Sequence, residues 1–177
     1  MANFDTAFAE TMKAEGGYVN DPQDPGGETY RGVARKANPK WEGWTVIDMM
    51  KSRSNFPRNL DGSTELQNLI REFYLVNYWH RIKGDDIVNQ DIAESIFDFA
   101  VNAGVGPAAK LAQTTVNTDP DGVIGTETLK KINADDPRAF LAVFALHKIA
   151  RYVSICDKRT DSRKYFFGWV KRTLEAL

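Results

Sequence analysis

The chain has a single cysteine and only two histidines among 177 residues. Cys156 therefore has no partner for an internal disulfide, and two histidines are thin material for a zinc hydrolase, which usually takes three protein ligands. Cys156 shares a helical face with Ile149, Tyr152 and Val153, which reads as a buried thiol rather than as the nucleophile of a cysteine amidase served by His80 or His147. No unbroken apolar run approaches the length of a bilayer span; the longest, Ala139 to Leu146, stops at His147. The N-terminus passes from Met1-Ala2-Asn3 straight into a helical pattern, with neither a basic region nor an apolar signal core, so synthesis in the cytoplasm is expected. Gly104-x-Gly106 lacks the rest of a nucleotide-binding loop. Asn117-x-Asp119-x-Asp121-Gly122-x-Ile124 imitates the start of a calcium loop, but Thr128 stands where the bidentate glutamate belongs. It reads as a tight turn before a helix capped at Thr126. No metal or cofactor is expected.

Strand signals are also scarce, and what fills the chain is helix. Phe4, Phe8, Thr11, Met12 and Glu15 fall on one side of a wheel, with Asn3 as cap and Gly16 or Gly17 as stop. Short helical patterns follow at 44–53 and, with a stripe of Leu66, Leu69, Ile70, Phe73 and Tyr74, at 63–79, where Ser63 or Thr64 is the cap. Further helices are expected at 92–103, from Pro107 to about Val116, from Asp136-Pro137 to about Cys156, and over 165–174. Hydrophobic residues make up 42% of the sequence and charged ones 27%, ordinary for a globular protein large enough to bury a core. The net charge is only −1, yet Arg138 to Leu177 holds nine Lys or Arg against three Asp or Glu. Such an excess is usually the wet side of helices, and no nucleic-acid motif accompanies it.

One segment departs from this plain pattern. Glu15 ends the first helix and runs into Gly16-Gly17-Tyr18-Val19-Asn20-Asp21-Pro22-Gln23-Asp24-Pro25-Gly26-Gly27-Glu28-Thr29-Tyr30-Arg31-Gly32. At about 100° per residue Glu15 lies only about 20° from Phe4 on the wheel, at the edge of the apolar stripe. A carboxyl placed there loses hydration, which raises its pKa towards what a general acid needs. Asp21-Pro22 and Asp24-Pro25 restrict the backbone, and the glycines permit sharp turns, so 19–33 reads as a shaped loop or short hairpin. Two carboxyl groups held near each other, one partly dried and one wet, are what glycoside hydrolysis requires. Asp21 and Asp24 both remain candidates for the second.

Glu15-Gly16-Gly17-Tyr18, Asp21-Pro22, Asp24, Gly26-Gly27, Thr29 and Gly32-Val33 resemble the signature of the glycoside hydrolase family 108 muramidases, phage-type endolysins some of whose relatives are labelled secretion activator proteins. Phe97-Asp98-Phe99-Ala100-Val101-Asn102-Ala103-Gly104, with Asp121-Gly122-Val123-Ile124-Gly125 and Thr128-Leu129, resembles the peptidoglycan-binding segment that follows in that family, and Gly168-Trp169 with Arg172 its closing helix. The spacing Glu15-x8-Asp24-x4-Thr29 is similar to that of phage lysozymes, one residue shorter before the threonine. The resemblance implies a mainly α, lysozyme-like fold with a short hairpin after the first helix, and cleavage between N-acetylmuramic acid and N-acetylglucosamine. It further implies that peptidoglycan glycan strands are the partner, that no nucleic acid is bound, that the chain is monomeric without stable membrane insertion, and that a holin or secretion system takes it to the wall. Residues 1–90 are expected to carry the muramidase segment and 91–177 the binding segment, packed into one compact domain.

Catalytic roles are expected for Glu15 as acid, Asp24 (or Asp21) as the ionised partner, and Thr29 as a positioner of water. Contacts to substrate are expected from Tyr18, Asn20, Asp21, Gly27, Tyr30 and Asn102. Tyr30, Trp41, Trp44 and Tyr78 are the aromatic candidates for stacking on a sugar, Tyr30 first because it lies inside the motif. Asn102 has two readings, a bond that shapes the loop after Glu15 or a contact to a sugar amide or the attacking water. Two other readings stay open: a lytic transglycosylase, which uses a lone glutamate, and a non-catalytic wall-binding secretion accessory protein.

Overall fold

A computed structural model describes residues 1–21 and 27–175. Among these are eight α-helices and a small antiparallel sheet. Contacts divide the chain into two compact units, one of residues 8–77 and one of residues 1–7 with 78–177.

Helix α1 (Phe4–Ala14), whose residues from Phe8 onward fall in the first unit, ends just before Glu15. Asn3 Oδ1 accepts from the Thr6 amide at 3.0 Å and caps the helix. Strands β1 (Tyr18–Val19), β2 (Thr29–Tyr30) and β3 (Val33–Ala34) follow as a meander in that order. The register pairs Tyr18 with Tyr30, Thr29 with Ala34 and Tyr30 with Val33. Arg31-Gly32 forms the two-residue turn between β2 and β3, with φ of 43° and 79°. Positive φ at both central residues is the twist that joins antiparallel strands directly. Arg31 takes this unfavourable geometry because its carbonyl accepts from Tyr74 Oη at 2.8 Å and its amide donates to the Gly17 carbonyl at 3.2 Å. Helices α2 (Gly43–Met50) and α3 (Thr64–Tyr74) pack together beside the meander, over a core of Val33, Ile47, Leu60, Leu66 and Ile70. Ser63 caps α3 by accepting from the Leu66 amide. The chain continues past Tyr74 as a wider π-helical turn, Leu75–Trp79, where a continuous α-helix was expected.

The second unit has helices and no strand among its described residues. It contains α4 (Gln90–Ala103), α5 (Val105–Thr115), α6 (Thr126–Ala134), α7 (Pro137–Lys158) and α8 (Arg163–Glu175). Helices α4, α5 and α7 pack on one another, and α8 folds back on α7. Phe97, Phe99, Phe140 and Phe144 fill the interior. Trp79, fully buried, sits against Phe4 and Phe97 and donates to Asp85 Oδ1 at 2.7 Å. A Cβ at Gly84 would collide with its indole. Asp136 accepts from the Ala139 amide and, with Pro137 in the first turn, starts α7 as expected. Gly125 precedes α6, so Thr126 is its first residue rather than its cap. Measured as a helix rather than as an unbroken run, α7 is long and apolar enough to cross a membrane by length and composition, the one such helix among the described residues. Cys156 is buried on it.

Candidate active site

The Glu15 side chain is half-buried, and its placement follows from the turn opposite. Glu15 Oε2 and Tyr74 Oη both come within 3.0 Å of the point that a Cβ on Gly32 would occupy. Carboxyl and phenol are therefore neighbours over the bare Cα of Gly32. The phenol proton goes to the Arg31 carbonyl, and the Tyr74 ring lies 5.8 Å from that of Phe8 on α1. The apolar helix that leads into Glu15, the turn and α3 meet at this carboxyl.

Around it the hairpin is fixed by charge. In the strand register Glu28 and Arg35 fall opposite each other, just outside the Thr29–Ala34 pair, and the Arg35 amide donates to the Glu28 carbonyl at 2.8 Å. The Glu28 carboxylate accepts from Tyr18 Oη and Arg35 Nη1, each at 2.8 Å, and from Lys51 Nζ at 2.7 Å. Arg35 and Lys51 both also bind Asp48 on α2. Burial alone would raise the Glu28 pKa; the hydrogen bonds from Lys51, Arg35 and Tyr18 outweigh it and hold the carboxyl below its usual value of 4.5. Hydrogen bonds from Arg35 hold Asp48 below the normal carboxylate range, and burial, reinforced by the Glu28 carboxylate, lifts the Tyr18 phenol above 10.0. The network thus clamps β1, the β2–β3 hairpin and α2 into one piece. Its sequence signal was the pair Glu28 and Arg35 flanking Thr-Tyr-Arg-Gly-Val-Ala, legible only once the two-residue turn is known.

The expected site residues take these places. Thr29 is half-buried on β2, and its Oγ1 donates to the Gly27 carbonyl at 3.1 Å, which leaves the oxygen lone pairs to accept from a water. Tyr18 packs edge-on against Phe56, with ring centroids 4.7 Å apart, and its hydroxyl is engaged with Glu28 and with the Asn20 side chain. Asp21 and Asn20 are exposed on the same stretch. Gly27 has φ of 67°, and a Cβ there would press on the Lys36 side chain at 3.1 Å. Asp24 lies outside the described residues. Tyr30 needs correction as a sugar platform: it is 1% exposed, and its hydroxyl accepts from Gln67 Nε2 at 3.0 Å, so the ring offers no face to a ligand. Trp44 is likewise buried, its Nε1 donating to the Asn38 carbonyl, whereas Trp41 is half-exposed. Asn102 belongs to the other unit, exposed on α4, and its amide donates to the Asp98 carbonyl one turn back at 2.6 Å. The segment that imitates a calcium loop is tied to α5, Asp121 Oδ1 accepting from Gln113 Nε2 as well as from the Val123 amide.

Three comparisons with known proteins bear on this arrangement. The profile described as "Glycosyl hydrolase 108" matches residues 8–104, and that described as "Predicted Peptidoglycan domain" matches residues 105–174. A search of curated proteins found no match. Among solved structures, one entitled "Structure of Brucella abortus SagA" is 26% identical and superposes with a TM-score of 0.70, covering 98% of this chain and 90% of that one.

Proposed function

Because the chain belongs to the glycosyl hydrolase 108 family, whose profile takes in more than half of it, it is a glycoside hydrolase acting on peptidoglycan, and we propose that it cuts the N-acetylmuramic acid to N-acetylglucosamine bond with Glu15 as general acid. The observation that carries this reading is the Glu15 carboxyl, partly withdrawn from water and seated against Gly32 and the Tyr74 hydroxyl on a hairpin clamped by Glu28. A proton donor must be held in place relative to the scissile oxygen, and this seat supplies that.

Protonated Glu15 gives its proton to the glycosidic oxygen as the bond from that oxygen to the sugar C1 breaks. Positive charge then develops at C1, and the ionised Asp24 or Asp21 offsets it. A water accepted by the Thr29 hydroxyl adds at C1, and its proton passes to a carboxylate. One water is consumed and one reducing end formed per cut. Tyr18, Asn20, Asp21 and Gly27 lie along the stretch between Glu15 and Thr29, where a glycan strand would run. The finer reading, a monomeric phage-type endolysin delivered to the wall by a holin or an export system, rests on the sequence resemblance.

Purified sacculi incubated with Glu15→Gln, Asp21→Asn and Asp24→Asn proteins test the roles. Glu15→Gln should abolish release of soluble fragments while the protein stays folded, and one of the two Asp→Asn variants should lose far more rate than the other. A folded Glu15→Gln chain that still dissolves sacculi at the wild-type rate would overturn the assignment.

A further inference from the structure

The second unit has a cavity of about 180 Å³ between α4, α7 and α8, with charge that the hydrolytic reading does not use. Its wall includes Lys148, Arg151, Tyr152, Trp169 and Arg172, with Asp98 as the sole carboxylate among the lining residues. Asp98 is committed: Oδ1 pairs with Arg172 Nη2 at 2.5 Å, and Oδ2 lies 3.4 Å from the Asn102 amide. Two cations beyond that pair therefore face the space.

Each of these cations is short of partners. Lys148 occupies the apolar stripe Phe140, Phe144, Lys148, Tyr152, Cys156 of α7 and is only 4% exposed. Its ammonium donates to Ser95 Oγ at 2.9 Å, a neutral hydroxyl, and otherwise rests against the rings of Phe144 and Phe99. Burial pushes its pKa down to about 8, against the opposing pull of Asp98. Arg151 Nε is buried with no hydrogen-bond partner. Tyr152 and Trp169, with ring centroids 5.2 Å apart, wall the same space. A buried ammonium held by one hydroxyl is costly to keep, and costly charges gather where a ligand completes them.

We propose that this cavity binds a free carboxylate of the peptidoglycan stem peptide, with Lys148 and Arg151 as its counter-charges and Trp169 against the peptide chain. The volume decides the ligand's size: a cavity of about 150 Å³ holds one benzene ring, so this one takes an amino-acid-sized group and not a disaccharide. Of the wall's components, the peptides supply such groups with free carboxylates. The muramic lactyl group is a second carboxylate source, free only where the peptide has been removed. This inference rests on the peptidoglycan reading but not on Glu15.

The experiment is a titration of the full chain carrying Glu15→Gln, so that binding is read without cleavage, followed by Trp fluorescence and calorimetry. The probes are a stem tetrapeptide with free carboxylates, the same peptide with every carboxylate amidated, and glycan strands stripped of peptide. The free-acid peptide should bind, amidation should weaken it at least 10-fold, and Lys148→Met and Arg151→Gln should each do the same while the circular dichroism spectrum is kept. Stripped glycan should not compete. No binding of the free-acid peptide at millimolar concentration, equal binding of the amidated peptide, equal binding by both variants, or full competition by stripped glycan would each overturn the proposal. Cleavage of sacculi that persists in the Glu15→Gln chain would count against the catalytic assignment and leave this result standing.

Discussion

Replacing Gly32 by alanine would place a methyl group between the Glu15 carboxyl and the Tyr74 hydroxyl. The new Cβ would stand 2.7 Å from Glu15 Oε2, where ordinary contact begins near 3.4 Å, so the carboxyl must retreat by about 0.7 Å. The tyrosine hydroxyl must retreat as well and give up its 2.8 Å bond to the Arg31 carbonyl. An L-residue at φ 79° adds strain of about 1–2 kcal/mol. The folded state should lose roughly 2–3 kcal/mol in all, from strain and one net hydrogen bond. Displacing a catalytic group by about 1 Å costs around 100-fold in rate, so kcat should fall roughly 10- to 100-fold, about 1.4–2.7 kcal/mol of barrier. Fragment release from dye-labelled sacculi gives the rate, measured at a temperature where circular dichroism shows both proteins folded. Adding Tyr74→Phe removes the hydroxyl overlap and leaves the carboxyl overlap, so the double variant should stay slow. A folded Gly32→Ala chain with wild-type kcat, or full recovery in the double variant, would refute the reasoning that Gly32 exists to seat Glu15.

Further outcomes are expected elsewhere. Glu28→Gln breaks the ion pairs to Arg35 and Lys51 and should cost about 1–2 kcal/mol at neutral pH, discounted because both cations are partly wet. The folded-state pKa of Glu28 is depressed, so its contribution is complete above 4.5 and fades as pH falls below that value; urea midpoints of the two proteins should converge in acid. Lys148→Met should stabilise the chain by up to about 3 kcal/mol at neutral pH, the equivalent of a pKa drawn from 10.5 to about 8. The folded state holds fewer protons than the unfolded one between those values, so wild-type stability should rise across that window and close the gap. Scanning calorimetry over pH checks both the sign and the convergence. Asp136→Ala removes the cap of α7 and should lower stability by about 1 kcal/mol.

The helices were legible because their signals are local. Asn3, Ser63 and Asp136 each cap the helix that the pattern assigned to them, and Pro137 lies in the first turn of α7. The hairpin was legible as a turn-rich stretch, but the role of Glu28 was not. Its partners Arg35 and Lys51 become neighbours only through the register set by Arg31-Gly32 and the packing of α2. Tyr30 shows a different limit: an aromatic inside a motif reads alike whether it faces a sugar or the core, and burial against Gln67 decides for the core. Lys148 was hidden by the opposite error. Reading the apolar run as ending at His147 set aside the next residue, although its spacing of four from Phe144 and from Tyr152 places it on the buried stripe.

The central claim, hydrolysis of a muramyl glycosidic bond, is tested most directly by mass spectrometry of the fragments released from purified peptidoglycan. Reducing N-acetylmuramic acid ends, each carrying the mass of one added water, are the predicted products. Anhydromuramic ends, reducing N-acetylglucosamine ends, or intact glycan with severed peptides would contradict it.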